Sequence, residues 1–177
     1  MSDSLVDLFE LEILRGRARW IADLNETFRD HSVGKHKFDL YARGQTRGKG
    51  FMLSQFFAWT VLPNYKVALY ARSVKDSASF LRSSLLELIQ EIRKEFEKYG
   101  LKWAWLVLFF EGDPPERIRS AIEDYQKSDI GIGTVNAYSG SVVVSNNVLG
   151  RSLTRQMRLH KLVSELEYRK GRKGSAS

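Results

Sequence analysis

The run from Lys102 to Phe110, KWAWLVLFF, is the constraint that the rest of the chain has to satisfy. One charge at its start is followed by eight apolar residues without alternation. Such a run marks a strand buried on both faces, and therefore a sheet with helices on each side. The stretch before it, Ser79 to Tyr99, reads as a helix. Leu81, Leu85, Leu88, Ile92 and Phe96 form one stripe, and Gly100 stands where a C-cap glycine belongs. With a strand before that helix, the three elements make a right-handed parallel crossover. Asp113-Pro114-Pro115-Glu116 reads as an N-cap, two first-turn prolines and a capping acid, opening a helix to about Lys127. Ile130 to Tyr138 and Ser141 to Ser145 read as short strands around Ser139-Gly140. A last helix is expected from about Ser152 to Arg169, with 171–177 as a disordered basic tail.

The N-terminal stretch 4–30 reads as helical. Ser4 with Asp7 resembles a capping box, and Leu5, Leu8, Phe9, Ile13, Trp20, Leu24 and Phe28 recur at helical spacing, with Gly16 as a dividing point. The expectation is an α/β (α+β) fold: a mixed central sheet flanked by helices, with an N-terminal helical segment and a C-terminal helix. A chain of 177 residues suffices for one cored domain, 1–170. It has no cysteine, which excludes disulfides, thiolate metal sites and thiol nucleophiles. No signal sequence or apolar run of spanning length is read, so the expected setting is soluble and cytoplasmic, away from membranes.

Charge is concentrated. Lys35 to Lys75 holds eight basic residues against Asp39 alone, a net +7, which is also the net charge of the whole chain. Within it, Lys37 to Arg43 and Tyr65 to Arg72 alternate apolar with basic or tyrosine residues, so each reads as a half-exposed strand. Phe51 to Leu62 reads as a third strand, and Gly44 to Gly50 as a glycine-rich connection. Cations that follow phosphates, interleaved with rings on which unpaired bases stack, suit a single-stranded nucleic acid. The candidate binding residues are Lys37, Tyr41, Arg43, Arg47, Lys49, Phe57, Trp59, Tyr65, Lys66, Tyr70 and Arg72, with Trp59 beside Pro63 the favoured stacking ring.

Catalytic patterns are weaker. The element order across 36–146 resembles restriction-endonuclease-like nucleases, including archaeal Holliday-junction resolvases. The resemblance implies a metal held by an Asp on one strand and a D/E-x-K triplet on the next. Asp39 in KFDLYA fits the first, but Tyr70-Ala71-Arg72 stands in place of the triplet, and no lysine after Asp39 has an acid two residues before it. His31, His36 and His160 complete no metal pattern. Glu111 with Asp113 reads as caps rather than an acid/base pair, and Gly131-Ile132-Gly133 is too short for a phosphate loop. No enzyme, metal or cofactor is expected.

Composition and element order together resemble the single-stranded DNA-binding proteins of thermophilic archaea of the ThermoDBP type. That resemblance implies an aromatic cleft flanked by Lys and Arg, on a dimer. The expected function is binding of single-stranded DNA, or RNA, with little sequence specificity. The alternatives are a structural or assembly protein on an inactive nuclease-like fold, and a non-standard nuclease using Asp39 with Glu111. Leu159, Leu162 and Leu166, at spacings of three and four on the last helix, are the expected homodimer contact.

Overall fold

The computed structural model describes residues 4–19, 21–46 and 64–174. Among them six strands form one sheet in sequence order. Strands β1 (Ala22–Val33), β2 (His36–Thr46) and β3 (Lys66–Val74) make an antiparallel meander. Strands β4 (Leu101–Phe110) and β5 (Ile130–Asn136) run parallel to β3, and β6 (Val142–Val144) returns antiparallel. The helices are α1 (Leu5–Leu14), α2 (Arg82–Tyr99), α3 (Glu116–Glu123), α4 (Val148–Arg155) and α5 (Leu162–Gly174). This is the mixed α+β sheet expected from KWAWLVLFF.

Strand β4 lies inside the sheet between two parallel neighbours, and Ala104 to Phe110 are all buried. Trp105, Val107 and Phe109 enter one core with α1, α4 and α5, where Phe9 meets Phe109 edge-on at 5.7 Å. Leu106, Leu108 and Phe110 enter the other, with α2 and α3, where Phe80 meets Phe110 at 5.4 Å. Trp105 is fully buried, and its indole N–H is satisfied by Ser152 Oγ at 3.0 Å and the Leu149 carbonyl at 3.2 Å. Helix α4 comes this close because Gly131 has no side chain: a Cβ there would sit 2.5 Å from the Leu149 carbonyl carbon. The Gly-Ile-Gly segment of β5 is thus a packing surface. Gly100 caps α2 in the left-handed region, φ 65°, its N–H donating to the Phe96 carbonyl.

Three expectations need correction. Helix α1 has its Ser4–Asp7 capping box, but it ends at Leu14, and Gly16 has φ 94°. Ala22–Val33 is strand β1, not helix. Leu24 and Phe28 are four apart, a spacing that keeps one face in a helix and equally in a regular strand, so it does not decide between them. The turn at Gly34, φ 56°, sets Val33 opposite His36 in a tight hairpin. Next, the helix expected over 152–169 is two. Helix α4 ends at Arg155, Arg158 takes φ 54°, a 3₁₀ turn covers Leu159–Lys161, and α5 continues to Gly174, so 171–174 are helical rather than part of a disordered tail. Finally, Pro115 rather than Asp113 caps α3, because the Asp113 carboxylate accepts from the Asn136 amide at 2.6 Å.

Candidate nucleic-acid interface

Strands β2 and β3 are covered on both faces, and this reassigns the tyrosines. Val67, Leu69 and Ala71 face the α1 side, as their alternation predicts. The opposite face of β3, with Ala68 and Tyr70, is no open surface: it packs beneath α2. Tyr70 is 0% and Tyr41 5% exposed. The Tyr41 ring stacks on His31 at 4.1 Å and lies 5.1 Å from Tyr70, which also meets Phe38 at 5.1 Å. Burial pushes both phenols above their usual range and holds the His31 imidazole below its own. Tyr41 and Tyr70 are therefore core rings and are withdrawn from the binding set. The Tyr70 hydroxyl finds no hydrogen-bond partner among the described residues. A buried hydroxyl left unpaired costs about 1–3 kcal/mol, so Tyr70→Phe is expected to leave the urea midpoint unchanged or raised. A lowered midpoint would mean that the hydroxyl is bonded.

The basic residues do not gather at one end of the sheet. Lys37 and Arg43 stand six residues apart on β2, roughly 20 Å at ~3.4 Å per residue. Lys37 is exposed at one end of the sheet and pairs with Asp30 at 2.8 Å. Arg72 is half-buried at that same end, where burial and its charge depress the His36 imidazole. Arg43 belongs to the other end. Its Nε meets Glu26 Oε2 at 2.6 Å, and its guanidinium lies 5.2 Å from the Phe28 ring centroid. Lys66 is exposed at this second end, opposite Gln45, with no ion-pair partner among the described residues.

This second end carries the half-buried rings of Tyr65 and Trp103 and the exposed ring of Tyr99. Tyr65, half-buried, meets Trp103 edge-on at 5.2 Å, and Lys102 Nζ lies 5.6 Å from the Tyr65 centroid. The Tyr65 N–H donates to Thr46 Oγ1 at 2.9 Å, which fixes where the chain re-enters the sheet. Lys98 Nζ stands 4.8 Å from the ring of Tyr99, which is 41% exposed. Beside these groups opens a cleft of about 790 Å³, with Asn25, Glu26, Arg43, Gln45 and Asn64 among its walls and Tyr41, Lys66 and Tyr99 also lining it. The cleft owes its shape to two local features. A β-bulge at Asn25 shifts the register of β1 against β2. Opposite it, Gly44 passes so close to β1 that a Cβ would fall 1.6 Å from the Asp23 carbonyl oxygen.

Arg47, Lys49, Phe57 and Trp59, with the strand expected over 51–62, lie outside the described residues. Their chain ends flank the same site, at Thr46 and Asn64. Sequence reasoning missed Lys98, Tyr99, Lys102 and Trp103. The signal was present in Lys102-Trp103, a cation and a large ring at the first residues of β4, before its burial begins.

The expected dimer residues are placed differently. Leu159 and Leu162 are 0% and Leu166 8% exposed, all inside the core with α1 and the sheet. The stripe packs on its own domain. Asp39, the residue aligned with a nuclease acid, accepts the Ser73 backbone N–H at 2.5 Å. Glu111 follows β4 and donates its N–H to the Val74 carbonyl. Among the described residues no group of three or more His, Asp or Glu is placed to hold a metal. No helix among them is long and apolar enough to cross a membrane.

No protein-family model matches the chain, and no curated protein and no solved structure is significantly similar to it.

Proposed function

We propose that this protein binds single-stranded nucleic acid, DNA in the first instance, at the sheet end formed by the starts of β3 and β4. The observation that carries the reading is the Tyr65–Trp103 ring pair with Lys102 set against it, and Lys66 exposed at the same end of the sheet. Rings offer stacking to any base, and lysines neutralise phosphates whatever the sequence, so affinity rests mainly on sequence-independent contacts. Arg47 and Lys49 add charge next to the same end in the chain. The ion pair that engages Arg43 limits it to a secondary part.

Affinity for an oligo(dT) should fall steeply with salt, by roughly 0.7 log unit per log of salt for each phosphate neutralised. Lys66→Ala and Lys102→Ala should each flatten that slope by about the same amount, and together by about twice it. Fluorescence anisotropy over a salt series measures this, with a duplex of equal length as comparison. A salt-independent affinity, or tighter binding to the duplex, overturns the reading.

A further inference from the structure

A second set of cations begins close to the ring pair. Residues 146–164, which hold α4 and the 3₁₀ turn, contain Arg151, Arg155, Arg158 and Lys161 and no acid. None of the four has an ion-pair partner among the described residues, and Arg151 donates to the neutral Asn146 side chain at 3.2 Å. By contrast, Lys35, Lys37, Arg43 and Lys94 are each held by a carboxylate. Beyond the described residues the sequence holds a single acid, Asp3, which adjoins α1. Arg151 and Arg155 stand four apart on α4 and share its outer side. On the inner side, Leu149 and Leu153 rest over Gly131 and Gly133 of β5.

Helix α4 starts at the same end of the sheet as the rings. Its N-cap, Asn147, donates to the Lys127 carbonyl at 2.7 Å. Trp105, one same-face step beyond Trp103 on β4, donates to the Leu149 carbonyl. Lys66, Lys102 and Lys127 stand at the starts of three neighbouring strands, β3, β4 and β5, and span about 10 Å. On the opposite face α2 and α3 bring their C-termini to this end, which disfavours a phosphate there. We infer that the bound strand runs from the Tyr65–Trp103 pair past Lys102 and Lys127 and along α4, where Arg151, Arg155 and Arg158 neutralise its phosphates. The eight residues of α4 add about 12 Å to the path and include no ring, so this part holds the backbone and leaves the bases unstacked. The inference rests on the strand-binding reading and extends it from a site to a track.

The test is binding of dT20 over a salt series by a triple variant, Arg151→Ala, Arg155→Ala and Arg158→Ala. Its slope of log affinity against log salt should be shallower than that of the wild type by about 2, roughly 0.7 for each cation. The control removes the same charge at the far end of the sheet, through Lys75→Ala, Arg82→Ala and Arg117→Ala, all at exposed positions. That variant should keep the wild-type slope. Circular dichroism checks the folds. Should the first triple variant lose its fold, Arg155→Ala and Arg158→Ala, both at exposed positions, read the effect singly at roughly 0.7 each. A slope that the α4 substitutions leave unchanged overturns the track and leaves strand binding at the rings standing. So does an equal loss in the control, which would reflect net charge alone. A wild type that does not bind dT20 takes down both readings.

Discussion

Leu162→Glu should unfold the protein rather than release folded monomers. Leu162 is fully buried where the 3₁₀ turn meets α5, in the core shared with α1 and the inner face of β4. A carboxylate there loses its hydration and finds no compensating charge, since the surrounding cluster is apolar. The apolar burial of the leucine is lost as well. Losses of this kind reach about 4–5 kcal/mol, a large part of the ~5–15 kcal/mol that keeps a domain folded. Sedimentation and circular dichroism distinguish the outcomes. An expanded or aggregated chain fits internal packing, whereas a folded monomer would return Leu162 to a subunit contact. A homodimer of this protein would therefore use a surface other than Leu159, Leu162 and Leu166.

The second large effect is expected at Tyr65. Tyr65→Ala removes one member of the ring pair, and the loss of a stacking platform costs on the order of 1–3 kcal/mol of strand affinity. For oligo(dT) that is a loss of roughly 5- to 150-fold. The half-buried ring lies at the start of β3, outside both cores, and its backbone bond to Thr46 does not depend on the side chain. The variant should therefore fold with a melting temperature near that of the wild type. Tyr65→Phe should keep most of the affinity, because stacking uses the ring and not the hydroxyl. A Tyr65→Ala protein that folds and binds oligo(dT) as well as the wild type would remove this end of the sheet as the strand site.

The sheet was legible because β4 says what must lie on either side of it. Eight apolar residues in a row require two covering layers, and α2 announces one of them through Leu85, Leu88 and Ile92. The same fact was not carried over to β2 and β3. Their tyrosines and terminal cations imitate a strand with one wet face, yet Tyr41 and Tyr70 have aromatic bodies that fill a core as readily as they stack on a base. Lys66 and Arg72 read as that face although they stand near opposite ends of β3. Strand β1 was hidden by spacing: Leu24 and Phe28 satisfy a helix, and the bulge at Asn25 then sends them to different sides of the sheet, Leu24 into the α1 core and Phe28 against Tyr41. The cleft had no sequence signature at all. Asn25, Gln45, Asn64 and Tyr99 come from four separate stretches and meet only through the register of three strands.

The clasp between the first and last helices bears on the order in which the molecule is made. Glu12, 6% exposed, meets Arg17 at 2.6 Å and Arg169 at 3.1 Å, and Arg17 also reaches Glu165 at 2.6 Å. The residues of those last two pairs stand 157 and 148 positions apart. A ribosome adding about 5–20 residues per second needs on the order of 10–30 s between the emergence of α1 and that of α5. Throughout that interval the apolar side of α1 lacks the leucines that cover it, and Glu12 lacks one of its arginines. The meander β1–β2–β3 can pair early, whereas the core on the α1 face closes only when synthesis has almost reached the end of α5.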